Sequence, residues 1–356
     1  MSQLKGKSMP LGAMMIDVAG TRLSDEDVTR LMDPKVAGII LFSRNFESIA
    51  QLSELVSAVH NLRHPRLLVG VDHEGGRVQR FKEGFTHLPP MRALGQLYRD
   101  KGDEAIIIVE HLGWLLAAEL LALGIDFSFA PVVDLDYGGS KVIGDRAFSA
   151  SEKEVSLLAS ALIRGMHEAG MASVAKHFPG HGFIEADSHF ETAVDERELS
   201  EIELHDIKPF KGLINQGVDA VMPAHVIYAK VDPNPAGFSP YWLQKQLREK
   251  LRFEGVIVSD DLSMQAAKEF GDVATRVRTA LEAGCDLVLL CNDTDAANEA
   301  LHKVQWRSST LSHARLIRMH GHHSYQFNYL HKDPRWQAAS QWSSYIWQHY
   351  CQEPLL

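Results

Sequence analysis

The segment KHFPGHGFIEADSH, residues 176–189, concentrates groups able to carry protons within one short stretch. Pro179, Gly180 and Gly182 stop any regular element just after an apolar run, so the stretch is expected to be a loop at a strand end. It carries His177, His181, Asp187 and His189. Asp187 and His189 stand two apart, which on an extended segment puts both side chains on one face. A carboxylate beside an imidazole fixes its tautomer and raises its pKa, which suits a general acid/base near neutrality. The plainer reading is a polar loop whose histidines only bond backbone. Four His and Asp residues together also invite a metal, but their spacing matches no compact pattern such as HExxH, and no metal is expected.

A second acidic motif, SDDLSM at 259–264, follows another apolar run. Alternation along a strand points Asp260 inward and turns Asp261 away or onto the next helix as a cap. An ionised Asp held there has the chemistry to attack an anomeric carbon and form a covalent intermediate. Two further patches look like a clamp for hydroxyls. In VDHEGGRVQR (71–80), Asp72 accepts hydroxyl protons, Arg80 supplies a fork of donors, and Gly75 and Gly76 let backbone approach a ligand. In IGDRAF (143–148), Arg146 is placed to do likewise. Phosphate is the other ligand such arginines take, but no Gly-rich helix start accompanies them.

These residues need a frame. Short apolar runs recur at 12–20, 36–45, 66–76, 125–135, 172–181, 219–228, 255–264 and 285–293, with helical patterns between them. Near-continuous apolarity suits strands covered on both faces, as in parallel sheets. Ser24 is placed to cap SDEDVTRLM, a helix starting at Thr275 is expected to stop at Gly284, and residues 106–124 read as a buried amphipathic helix. Eight strands with crossovers close naturally as a single (β/α)8 TIM-type barrel. A doubly wound open sheet is the alternative, but no GxGxxG turn follows the first strand. Asp17, Arg44, Asp72-His73-Glu74, Asp134, Lys176-His177, His225, Asp260-Asp261 and Asn292-Asp293 all fall at the expected strand ends, the rim where barrels build their chemistry. Some of these carboxylates could merely cap the helix that follows.

The chain of 356 residues holds 46 Asp plus Glu against 36 Lys plus Arg, a net charge of −10. That argues against a nucleic-acid partner and favours a self-repelling monomer. Three cysteines make no disulfide framework, which suits a reducing compartment. Neither a signal-peptide core nor an apolar run long enough for a membrane span is expected. Residues 1–300 read as the barrel and 301–356 as a helical tail packed on its outside rather than an independent domain. Within the tail, HGHH at 320–323 reads as a polar turn rather than a metal cluster.

Taken together and in this order, VDHEGGRVQR, KHFPGHG…ADSH, MPAHVIY and SDDLSM resemble the single-domain bacterial β-N-acetylhexosaminidases of glycoside hydrolase family 3, over about residues 12–300. The resemblance implies Asp260 as nucleophile and His189 as general acid/base partnered by Asp187. It implies Asp72, Arg80, Arg146, Lys176 and His177 as the residues holding N-acetylglucosamine. It also implies a cytoplasmic role in peptidoglycan recycling, removing β-1,4-linked N-acetylglucosamine from muropeptide fragments, without a cofactor. A phosphorylase using phosphate in place of water, and a sugar-binding barrel without turnover, are the alternatives. Relatives acting on glucosides take their acid/base from a second domain that this chain is too short to hold, so the acid is expected from the 176–189 loop.

Overall fold

A computed structural model describes residues 7–185, 193–306, 308–322 and 325–351. Each expected apolar run contains one barrel strand: β1 Met14–Ile16, β2 Val36–Leu41, β3 Leu68–Val71, β4 Phe127–Ser128, β5 Val174–Phe178, β6 Ala220–Pro223, β7 Val256–Asp261 and β8 Leu287–Leu290. They pair in parallel in the order β4-β3-β2-β1-β8-β7-β6-β5. Isolated parallel bridges, Phe127 to Ala172 and Val132 to Lys176, link the two edge strands, so the sheet forms a nearly closed barrel with helices around it. Every residue of these strands is buried except Asp260 and Asp261, the half-exposed end of β7.

The strands are shorter than their apolar runs because pairing stops where the chain turns onto the rim. The run at 66–76 is not one strand. β3 ends at Val71, and a separate antiparallel hairpin pairs His73–Gly75 with Val78–Gln79. Gly75 and Gly76 have φ of 114° and 55°, and a Cβ would meet Pro89 O at 2.5 Å and the Pro90 Cβ at 2.7 Å. Glycine is therefore required by the turn and by the close approach of residues 89–90.

Local signals explain the helices. Ser24 caps Asp25–Leu31 in a reciprocal box, accepting from Asp27 N at 3.1 Å while Asp27 accepts from Ser24 N at 3.0 Å. The helix ending at Gly284 starts at Val273 rather than Thr275, because the Asp272 carboxylate accepts from Thr275 N and makes Asp272 the cap. The long buried helix runs Asp103–Leu121, earlier than its apolar run, with two acids in its first turn. Glu119, an interruption of that run in the sequence, is buried within it. In the HGHH segment, Gly321 N donates to Asp126 and His320 Nε2 lies 2.9 Å from Arg66 O, tying a turn to the N-terminal ends of β3 and β4. The helix Pro334–Tyr350 lies against the helices Met91–Lys101 and Asp103–Leu121.

His73 is 1% exposed between the rings of Phe81 and Phe85, with centroids 6.0 and 5.7 Å away. Burial, reinforced by Arg80, lowers its pKa to about 3. The unfolded chain therefore binds this proton from about pH 6.5 downward while the folded chain refuses it, so stability falls as pH falls between these values. His73→Phe is expected to flatten the acid limb of a urea-unfolding series by about 1.4 kcal/mol per pH unit between roughly pH 6 and 4. An unchanged slope would show that His73 takes its proton inside the fold.

Candidate active site

A cavity of about 450 Å³ opens at the C-terminal ends of the strands, within the range of small-ligand pockets. Its walls carry Asp72, Arg80, Arg146, Lys176, His177 and Asp260, so six of the eight residues expected from the sequence meet in one place. The other two, Asp187 and His189, lie outside the described residues.

Lys176 is the most enclosed cation of the site, 3% exposed at the middle of β5. Its Nζ donates to Asp72 Oδ1 at 2.9 Å and lies 2.6 Å from Glu74 Oε1. Arg146 grips the same Glu74 in a two-pronged contact, Nε to Oε2 and Nη2 to Oε1, both 2.8 Å. Arg80 Nη2 closes the group on Asp72 Oδ2 at 3.3 Å. Burial alone would raise the carboxyls of Asp72 and Glu74. Lys176 with Arg80 at the first, and Arg146 with Lys176 at the second, outweigh burial and hold both below the usual carboxylate range. Burial alone would lower Lys176, but Asp72 and Glu74 outweigh it and keep the ammonium charged. The result is a preformed wall of fixed charges, able to accept and donate to vicinal hydroxyls without reorganising.

Arg146 commits its fork to Glu74 and gives Nη1 to the carbonyl of Val142 at 3.2 Å. It thus orients Glu74 as well as lining the cavity. His177 Nδ1 sits 2.7 Å from Asp134 Oδ2, and Asp134 also accepts from the backbone N–H groups of His177 and His181. Burial would raise Asp134, yet the two histidines outweigh it and hold it low. One buried carboxylate therefore orients the imidazole and pins the start of the following loop. The chain returning from that loop is held by Arg197, which bonds Asp195 at 2.7 Å and Asp206 at 2.8 Å and lies 4.1 Å from the centre of the Phe183 ring.

On the β7 side, Asp260 Oδ1 accepts from Asp261 N at 2.8 Å. Asp261 is not a plain helix cap. It lines the cavity too, accepts from Ser263 N and Cys291 N, and is raised to about 6 by burial and by the neighbouring carboxyl of Asp260. Ile40, Phe129, Met222 and Leu289 form apolar walls, and Phe42 stands with Arg44 at 4.4 Å and Arg80 at 5.8 Å from its ring centre. Other charged rim residues bond one another. Asp17 pairs with Arg44 and accepts from Asn292 N at 2.8 Å, while Asp293 caps the helix Thr294–Lys303.

Glu74, Asp134 and Asp261 are the residues that motif reasoning left out of the site. All three stand near the ends of the apolar runs, the available signal, but no spacing connects 74 with 146 and 176. Removing Glu74 leaves Lys176 and Arg146 buried without their shared counter-ion. Glu74→Ala is expected to cost about 3–5 kcal/mol in urea unfolding, the range for breaking a buried ion pair from one side. A cost under about 1 kcal/mol would mean water reaches the two cations.

The model of the family described as glycosyl hydrolase family 3 N terminal domain matches residues 3–317. A beta-hexosaminidase of Hydrogenovibrio crunogenus is 57% identical over 356 residues, covering 100% of both chains. Among solved structures, native NagZ from Neisseria gonorrhoeae superposes with a TM-score of 0.90 at 44% identity, over 96% of this chain and 99% of that one. The same Neisseria protein in complex with N-trifluoroacetyl-D-glucosamine gives 0.91, with the same identity and coverage. A barrel with its charged cavity at the strand ends, a family model spanning most of the chain and full-length relatives lead to one conclusion: the chain belongs to glycosyl hydrolase family 3 and is a glycoside hydrolase.

Proposed function

We propose that this chain is a retaining exo-β-N-acetylglucosaminidase that removes non-reducing terminal β-1,4-linked N-acetylglucosamine from muropeptides in peptidoglycan recycling. The observation that carries this reading is the Asp260 carboxylate at the half-exposed end of β7, in one cavity with the Asp72–Lys176–Glu74–Arg146 wall. The wall would hold the terminal sugar through Asp72, Arg80, Lys176 and His177, with Arg146 fixing Glu74. Asp260 would attack the anomeric carbon while His189, oriented by Asp187, protonates the leaving oxygen. In the second step His189 would take the proton of the water that releases the sugar. The names of the relatives, beta-hexosaminidase and NagZ, and the glucosamine derivative bound to the latter support the sugar assignment.

The reading extends to setting and organisation. The enzyme would be cytoplasmic and monomeric, its partner its small amino-sugar substrate; among the described residues no helix is long and apolar enough to cross a membrane. Residues 1–300 would be the catalytic unit and 301–356 a tail packed on the barrel's outside. Hydrogen bonds from Trp336, Ser343 and Trp347 to residues 119 and 87 support that division.

Hydrolysis of an aryl β-N-acetylglucosaminide, beside the aryl β-glucoside and with phosphate or EDTA added, tests the reading. Release from the acetamido sugar alone, indifferent to both additives, is expected. Phosphate dependence would make the protein a phosphorylase, chelator sensitivity would bring in a metal, and binding without release would make it a sugar-binding barrel. Asp260→Ala is expected to lose roughly 10⁴-fold or more in kcat, as nucleophile removal does elsewhere, and near-normal turnover would remove it from that role. His189→Ala should lose about 10²–10⁴-fold on substrates with poor leaving groups and far less on activated aryl glycosides, since only the former need the proton. Equal losses on both would count against the acid role.

A further inference from the structure

The stretch 81–88 links the hairpin carrying Arg80 to the helix Met91–Lys101 and contains no regular element. Its backbone polar groups must therefore find partners elsewhere. Some are met from the hairpin. Gln79, 3% exposed, donates through Nε2 to Phe81 O at 3.0 Å and Thr86 O at 2.9 Å, and accepts from Leu88 N at 2.9 Å. Gly76 N donates to Leu88 O at 2.8 Å. Others are met from the far end of the chain. Ser343 Oγ and Trp347 Nε1 both donate to the carbonyl of His87, at 2.7 and 2.8 Å, and the Trp347 ring stacks on the His87 ring at 4.2 Å.

A second connection runs through the buried Glu119. Its carboxylate accepts from Thr86 N at 3.0 Å, from Thr86 Oγ1 at 2.7 Å and from the Trp336 indole at 2.8 Å. Thr86 thus gives its N–H to a carboxylate shared with the tail and its carbonyl to the side chain that fixes the hairpin. Phe327 adds an edge-on contact to Phe85, 5.5 Å between centroids, and Phe85 packs on Phe81 and His73. Arg80 lies between Gln79 and Phe81, and its guanidinium bonds Asp72, the carboxylate that also receives Lys176.

We propose that the C-terminal tail is a strap that positions the sugar-gripping hairpin: Trp336, Ser343 and Trp347 are positioning residues that act through Thr86, His87 and Gln79 on Arg80 and Asp72. A tail serving only to cover apolar surface would have no reason to send two donors to one carbonyl and a third to a carboxylate holding the adjacent residue. Loosening the strap frees segment 81–88 and lets Arg80 leave its place, so ground-state binding of the sugar weakens. The contacts from the tail lead to Arg80 and Asp72, the groups that hold the sugar, so the loss is expected in binding rather than in chemistry on bound substrate. The inference rests on the proposed role of Arg80 and Asp72 in holding the sugar.

The test uses full-length Trp347→Phe, Ser343→Ala, their double variant and Trp336→Phe, each removing a hydrogen bond while keeping the side-chain body or a close match. For an aryl β-N-acetylglucosaminide, the double variant is expected to raise KM about fivefold or more with kcat within about twofold, the signature of lost uniform binding. Amide hydrogen exchange across residues 78–88 should quicken about tenfold or more while the barrel strands keep their protection. A KM unchanged beside a lowered melting temperature would make the tail merely structural and overturn the proposal. So would a fall in kcat alone, or a raised KM without faster exchange at 78–88. Were the unaltered protein inactive on this substrate, the hydrolase reading would fall by itself. The exchange of 78–88 would then decide the strap, with unchanged protection overturning it.

Discussion

Glu74 is a carboxylate 2% exposed to solvent that two cations share, and the arrangement of the site depends on this sharing. A lone carboxylate at that depth would pick up a proton, and a lone ammonium at the depth of Lys176 would lose one. Together with Asp72 and Arg146 they hold each other charged. Such a cluster is costly to assemble and adds little to net stability. Its value lies in geometry, because each member has one low-energy position once the others are in place. The cavity meets its ligand with donors and acceptors already oriented.

The same economy of shared partners recurs around the cavity. Asp134 serves an imidazole and two backbone amides, and thereby joins the end of β5 to the loop after it. Glu119 serves Thr86 twice and Trp336 once, joining the rim to the tail. Asp260 and Asp261 interrupt the pattern. They form the half-exposed end of an otherwise buried strand set, and Asp261, raised toward neutrality by burial and by its neighbour, places a weaker acid beside a carboxylate. Asp261 also fixes the turn after the strand, accepting from the backbone N–H groups of Ser263 and Cys291.

Much of this was legible from residue order. The eight apolar runs each hold a barrel strand, and Asp72, Glu74, Lys176, His177, Asp260, Asp261 and Asn292 from the ends of those runs line the cavity, because parallel strands covered on both faces leave few other places for polar side chains. The Ser24 cap was readable because a capping box is written in four consecutive residues. The hairpin at 73–79 begins inside the run at 66–76 and was not seen there, since a periodicity argument does not see two glycines adopt positive φ against residues 89–90. The same packing gives Gly75 and Gly76 a steric role that residue order did not show. The helix start was placed at Thr275 although the cap, Asp272, lies three residues earlier and is identified only by the bond its carboxylate accepts from Thr275 N.

Sequence alone determined which residue types gather at the strand ends, because strand period and burial dictate where charge can sit. Tertiary structure alone decided which of them touch. Residues 74, 146 and 176 come from a hairpin, a short helical turn and a strand, and no spacing along the chain encodes their meeting. Likewise Arg197 finds Phe183, and Trp347 finds the carbonyl of His87 across 260 positions, only because barrel closure and helix packing bring those surfaces together. Local rules act through neighbouring torsions and hydrogen bonds, whereas ion pairs and caps between distant segments exist only after the core has packed.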